Sequence, residues 1–213
     1  MKKVKFNIHK EGYYFIGIFL SLTLIMIIYE KLHKYVTCIY TLFCVFFFRD
    51  PKRKKNRILK ILLSPADGIV QKIERIKTWD FFGKNINKVS IFLNIFNVHI
   101  NRIPISSEVN KLHYIKGKFF NVTFDKSSSL NERQIILLEM LNGEKIYLIQ
   151  IAGLIARRII CNIILKKRVL LGEKFGIIKF GSKIDIYLST KFEIKVKKGD
   201  RVVSRETIIA KYK

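Results

Sequence analysis

Two nearly unbroken apolar stretches, Tyr13 to Tyr29 and Tyr35 to Phe48, open the chain, with only the polar break "EKLHK" between them. Read as helices they span roughly 25 Å and 21 Å at about 1.5 Å per residue, against a hydrocarbon core of about 30 Å. Each alone is short for a crossing; together they predict a membrane-inserted helical hairpin. Beyond Lys60 the pattern changes to short apolar or mixed runs separated by Gly, Asn or charged turns, and these predict strands: Ile69 to Ile76, Val89 to Ile95, Ile135 to Leu141, Ile146 to Ile151 and Gly176 to Phe180. In "KFGSKIDIYLS", Ile184, Ile186 and Leu188 share one face and Asp185 and Tyr187 the other, which predicts a half-buried strand with Gly181 and Ser182 at its mouth. Phe192, Ile194 and Val196 alternate with Glu193 and Lys195 before the turn "KKGD", and "ETIIAKY" supplies a last strand. Only "GLIARRIICNII" invites a helix, and its β-branched content fits a strand equally well. The pattern therefore predicts an anchor over residues 1–56 and one compact β-rich domain over residues 57–213.

Charge sharpens the membrane reading. Lys2, Lys3, Lys5 and Lys10 precede the hairpin, and Arg49, Lys52, Arg53, Lys54, Lys55 and Arg57 follow it. Basic flanks on both sides place both ends in the cytoplasm, and each such residue near an anionic bilayer contributes about 1 kcal/mol. No small-residue cleavage site follows the first stretch, which disfavours a signal peptide. The expected location is the inner cell membrane, on its cytoplasmic face. The formal net charge of +25 calls for anionic partners without choosing among them. A nucleic-acid binder is the first such alternative. However, the aromatic residues concentrate in the membrane stretches, leaving no stacking platform beside a basic groove, so nucleic acid is not expected. Cys38, Cys44 and Cys161 form no CxxC pair, which supports neither a disulfide framework nor a zinc site, and no metal is expected.

No P-loop, dinucleotide glycine fingerprint, HExxH or GxSxG occurs. The polar landmarks are "SPADG" (Ser64 to Gly68), "NVHINRIP" (Asn97 to Pro104), "GKFFNVTFDKSSSLNER" (Gly117 to Arg133), "IQIAGLIARRI" (Ile149 to Ile159) and "GEKFGIIKFGS" (Gly172 to Ser182). Singly, each has a plain structural reading. Asp67-Gly68 and Gly181-Ser182 are turn pairs, His99 is a core histidine, and Arg157 and Arg158 are surface charge. As an ordered set, beginning at "FFRDPKR" and ending at "KKGDRVVSRETIIA", they resemble the phosphatidylserine decarboxylase family in its short bacterial and archaeal form.

That resemblance implies a chemistry that suits these residue types. Ser182 would attack the carbonyl of Gly181, converting the peptide bond to an ester. β-Elimination and hydrolysis would then release ammonia and leave a pyruvoyl group at position 182. The products are a large chain, residues 1–181, and a small chain, residues 182–213, which remain associated. The pyruvoyl ketone would bind the amine of phosphatidylserine as a Schiff base and accept electrons as carbon dioxide leaves, giving phosphatidylethanolamine. His99 is the expected general base and acid, and Asp67 is expected to orient its imidazole. Arg157, Arg158 and Arg102 are candidate contacts for the substrate's phosphate and carboxylate, with Lys126 and Arg133 behind them. The resemblance further implies a mainly β, barrel-sandwich-like catalytic domain. Its partners would be phosphatidylserine and an anionic membrane surface, and a homo-oligomer is left open.

One departure stands out. Longer membrane-bound relatives carry two histidines as HRxHxP, whereas "HINRIP" has Arg102 in the second place. A second alternative is a non-enzymatic, membrane-anchored lipoyl- or biotinyl-carrier-like barrel, which "DGIV" and "VKKGDRVVSRETI" resemble, but no convincing acceptor lysine is present.

Overall fold

The computed structural model describes residues 7–54, 60–79, 83–120, 130–154, 158–179 and 182–213. The chain divides into two compact units, Met1–Lys52 and Arg53–Lys213.

In the first unit, α1 (Lys10–Ile28) and α2 (Lys34–Phe47) form an antiparallel pair. Aromatic stacking and hydroxyls hold the seam: Phe15 lies on Phe48 and Phe19 on Tyr40, each at 5.5 Å between ring centroids, and the Thr23 and Thr41 hydroxyl oxygens are 3.3 Å apart. Gly12 permits the close approach, since a Cβ there would sit 2.5 Å from Phe48 Cβ. Leu24, Ile28, Ile39 and Leu42 point outward and stay exposed. α1 is long and apolar enough to cross a membrane; α2 is shorter. At about 1.5 Å per residue α1 spans roughly 28 Å, close to the hydrocarbon thickness.

The second unit is built from strands: β1 (Ile61–Leu63), β2 (Gly68–Trp79), β3 (Gly83–Leu93), β4 (Ile100–Arg102), β5 (Ser107–Ile115), β6 (Arg133–Glu139), β7 (Lys145–Ala152), β8 (Ile159–Cys161), β9 (Arg168–Val169), β10 (Lys174–Ile178), β11 (Ser182–Ser189), β12 (Phe192–Ile194), β13 (Arg201–Val202) and β14 (Ile208–Tyr212). Among the described residues these form an eight-stranded sheet, β13-β2-β3-β11-β7-β6-β5-β9, and two three-stranded sheets, β1-β14-β12 and β4-β10-β8. The mainly β class and the helical hairpin agree with the sequence pattern. The stretch that fitted helix or strand equally resolves as β8, paired with β10, while residues 155–157 lie outside the described residues.

β11 occupies the middle of the large sheet, antiparallel to β3 on one side and β7 on the other along nearly its whole length. Its Ile184, Ile186 and Leu188 lie beside Ile91, Val89 and Ile146 in turn, and with Leu93, Ile136 and Val109 they form the main core. The opposite face was expected to meet solvent. Instead Asp185 is fully buried and Tyr187 nearly so, against a second apolar cluster of Tyr147, Ile149, Ile151 and Ile135. The alternation marked two chemically different faces, but both are covered. Burial, and then the Asp185 and Glu74 carboxylates, push the Tyr187 phenol well up from its ordinary pKa.

Asp185 tolerates its position because Lys88 Nζ, itself largely buried, lies 3.1 Å from its carboxylate. Removing one member leaves the other desolvated without that partner, so Lys88→Met should cost about 3–5 kcal/mol of stability. The double replacement Lys88→Met/Asp185→Leu should recover most of the loss. Urea denaturation in an uncut Ser182→Ala background measures this; additive losses would refute the coupling.

Candidate active site

Ser182 is the first residue of β11, paired with Leu93 at the end of β3 and Ala152 at the end of β7. Its side chain is fully buried, and its Oγ makes no hydrogen bond among the described residues. A buried hydroxyl without a partner is unfavourable by about 1–3 kcal/mol, so this one stands out among the domain's polar groups. Gly181 lies outside the described residues.

Beyond Leu93 the chain turns sharply. Asn97 N donates to the Asn94 carbonyl at 3.0 Å, Asn97 Oδ1 accepts from Asn94 N at 2.9 Å, and Asn94 Oδ1 accepts from Phe96 N at 2.9 Å. Asparagine side chains close turns in this way. The turn delivers His99, fully buried, just before β4. β4 pairs with β10, Ile100 opposite Ile177, and β10 ends shortly before Ser182. The topology thus brings the histidine and the serine to the same end of the domain. His99 Nδ1 is 2.9 Å from the Asn97 carbonyl oxygen. A carbonyl only accepts, so Nδ1 carries the proton, and in the neutral ring Nε2 holds the lone pair.

Asp67 is differently engaged from the sequence expectation. Its Oδ2 receives Arg53 Nη2 at 2.5 Å and its Oδ1 the Ser204 amide at 2.8 Å, while the imidazole Nδ1 is turned to the Asn97 carbonyl. Asp67 therefore ties Arg53 and "SPADG" to the last segment of the chain. "SPADG" also runs against "HINRIP": Pro65 O accepts from Arg102 N at 2.8 Å, and Leu63 N donates to Pro104 O at 2.9 Å. Gly68 belongs to β2 rather than to a turn. A Cβ on it would lie 2.2 Å from Phe92 O, so only glycine lets β2 close onto β3 beside the site.

The candidate arginines part company. Arg102 is buried, with Nη1 donating to the Gly172 carbonyl at 3.3 Å, a tie between loops rather than an open anion contact. Arg158 is exposed, and its carbonyl accepts from Lys179 N at 3.4 Å, so it runs alongside the segment leading to Ser182. Burial raises the Tyr114 phenol, as does its hydrogen bond to Glu132; Arg158, within electrostatic reach, acts in the opposite sense. Arg157 and Lys126 lie outside the described residues. Arg133 donates from Nη1 to the Asn131 carbonyl at 3.3 Å.

Three amides at this end escaped the sequence reading. Gln150 Nε2 donates to Asn101 Oδ1 at 2.7 Å, both residues fully buried, and Asn101 Nδ2 and Gln150 Oε1 make no further hydrogen bond among the described residues. Gln150 lies opposite Ile184, so its side chain shares the inner sheet face with Ser182. Asn131 Nδ2 donates to the Ala152 carbonyl at 2.8 Å and to Phe120 O at 2.7 Å, holding the end of β7 that flanks the serine. Gln150 had a readable signal, an amide at an inward position of the buried run "IYLIQIA".

Among the described residues no group of three or more His, Cys, Asp or Glu is disposed to hold a metal ion. A cavity of about 410 Å³, lined by Glu108, Glu139, Leu141 and Leu170, lies at the opposite end of the large sheet from Ser182.

Fold and site together define a small β-rich enzyme domain with a buried polar centre, preceded in the chain by an apolar helical hairpin. Residues 40–210 match the family described as phosphatidylserine decarboxylase. The chain is 45% identical over 208 residues to the phosphatidylserine decarboxylase proenzyme of Rickettsia rickettsii (strain Sheila Smith), covering 96% of this chain and 90% of that protein. It is 47% identical over 209 residues to the proenzyme of Wolbachia sp. subsp. Brugia malayi (strain TRS), with the same coverage. The chain belongs to the phosphatidylserine decarboxylase family. That membership leaves the carrier-domain alternative without support.

Proposed function

We propose that this protein converts phosphatidylserine to phosphatidylethanolamine at the cytoplasmic face of the inner membrane, using a pyruvoyl group made from its own Ser182. The observation that carries the reading is the unpartnered, fully buried hydroxyl of Ser182 at the head of a central strand.

His99 Nε2 takes the hydroxyl proton as Oγ adds to the Gly181 carbonyl carbon. The C–N bond then breaks, the nitrogen is protonated, and Gly181 is joined to Ser182 through an ester. Loss of the Ser182 Cα proton expels the Gly181 carboxylate, and water replaces the resulting enamine nitrogen, which leaves as ammonia. The surroundings fit the product: Ser182 Oγ has no hydrogen bond to lose among the described residues, and Leu93 and Ala152 flank it without bulky polar groups. Once formed, the ketone supplies an electrophile for the substrate amine and a sink for the electron pair released with carbon dioxide. Arg158 is the described cation best disposed to meet the lipid's phosphate or carboxylate. Cutting does not free the small chain. β11 stays paired on both edges, β13 stays on β2, and β14 stays on β1. The two chains should therefore copurify and separate only on denaturation.

Protein incubated with phosphatidylserine labelled in the serine carboxyl should release labelled carbon dioxide and accumulate phosphatidylethanolamine. The small chain should be lighter, by one ammonia, than a chain beginning with serine. Absence of release would sink the reaction; release with an unblocked serine terminus would sink the cofactor.

A further inference from the structure

The loops that leave the large sheet at its Ser182 end share an unusual composition. The register puts the ends of β3, β5 and β7 and the starts of β6 and β11 together there: Ser182 lies opposite Leu93 and Ala152, Arg133 opposite Ile151, and Ile115 opposite Arg133. From these loops four large apolar side chains stand in solvent: Phe96 at 63% exposure, Leu154 at 64%, Leu130 at 45% and Phe120 at 41%. Lys116, Lys118 and Arg158 are exposed between them, and Lys118 Nζ sits 5.9 Å from the centroid of the Phe120 ring. Among the described residues of these loops the one carboxylate, Glu132, is buried. The far end of the sheet also exposes Leu141 and Leu170, but there Glu108 and Glu139 line the same cavity.

We infer that the Ser182 end of the β domain is itself a bilayer-docking face, separate from the helical hairpin. Exposed apolar side chains contributed by several loops, interleaved with cations and, among the described residues, free of exposed carboxylates, match an anionic lipid surface. The apolar tips enter the boundary between headgroups and acyl chains while the cations meet lipid phosphates. A soluble protein partner is less well matched, because the four side chains are spread over three loops, after β3, β5 and β7, with exposed cations between them. The role given to this face, seating the site on its substrate, rests on the lipid-decarboxylase reading; the docking itself does not.

The full chain, with its single Trp79 replaced by Phe, can carry one tryptophan at position 96 or one at position 141. Bound to phosphatidylcholine–phosphatidylglycerol vesicles with brominated acyl chains, Phe96→Trp should be quenched relative to unbrominated vesicles, and Leu141→Trp should not. An unquenched Phe96→Trp, or equal quenching of both, overturns the docking face. In a second arm, Leu130→Asp/Leu154→Asp should mature normally and turn over short-chain monomeric phosphatidylserine at the wild-type rate. It should lose roughly tenfold or more on vesicle substrate. Leu141→Asp/Leu170→Asp should lose nothing. Equal losses on both substrates, or none, also refute the proposal. If the wild-type protein turned over neither substrate, the decarboxylase reading would fail while the quenching still decided the docking.

Discussion

Ser182→Ala should yield one uncut chain of 25.1 kDa, where the wild-type protein yields two. The effect is all or none, because alanine has no atom that can add to the preceding carbonyl. What makes the variant informative is how little else it disturbs. The backbone of β11 keeps its pairing to Leu93 and Ala152, and the methyl group enters a position already walled by core side chains. The hydroxyl removed has no hydrogen bond among the described residues, so its loss relieves an unsatisfied polar group. The variant should unfold no earlier than the uncut wild-type chain, which separates loss of chemistry from loss of fold. Ser182→Cys offers a complementary check, since a thiol can add to the same carbonyl and would give a thioester. Intact mass under native and denaturing conditions reads both, and splitting of Ser182→Ala at the same peptide bond would remove the serine from the mechanism.

The parts of this molecule that could be read from its sequence are those written in local periodicity. Unbroken apolar runs gave α1 and α2, and period-2 or continuous apolar runs located β2, β6, β7, β10, β11, β12 and β14 to within a few residues and the second half of β3, which begins six residues earlier at Gly83 in a polar stretch. β1, β4, β9 and β13, at two or three residues each, carry no period; they exist because a distant partner offers an edge, as Thr207 and Pro104 do for the chain around Leu63. β5 was hidden because its burial alternates weakly and includes exposed His113 and Tyr114. The site divides in the same way. Ser182 and His99 stand in motifs that the sequence orders along the chain, and the structure buries both; Gly68 stands in "SPADG", and the structure gives it a packing reason the motif does not express. The Gln150–Asn101 pair joins residues far apart in the chain, and Asp67's bonds to Arg53 and Ser204 bridge three separate segments. Neither pairing leaves a local trace, so the motif alone points to neither the partners of the carboxylate nor those of the amides.

Replacing His99 should slow the splitting by about 10²–10⁴-fold, the usual worth of a positioned general base. Alanine alone would confuse two roles, since it removes both the lone pair of Nε2 and the hydrogen bond from Nδ1 to Asn97. His99→Asn separates them: its amide can still donate toward Asn97 but is no base. If the imidazole only braces the turn, His99→Asn should mature close to the wild-type rate and His99→Ala should not. If it takes the serine proton, both should stall alike. Hydroxylamine then locates the stall. An ester at Gly181–Ser182 is cut by hydroxylamine, whereas the original amide resists it. A chain lacking the base for the first step should persist as the amide and remain intact under that treatment. Rapid hydroxylamine cleavage of the His99 variants would instead show that the acyl shift proceeds without the imidazole. His99 would then belong to the elimination, and another group near the end of β3 would have to accept the proton from Ser182.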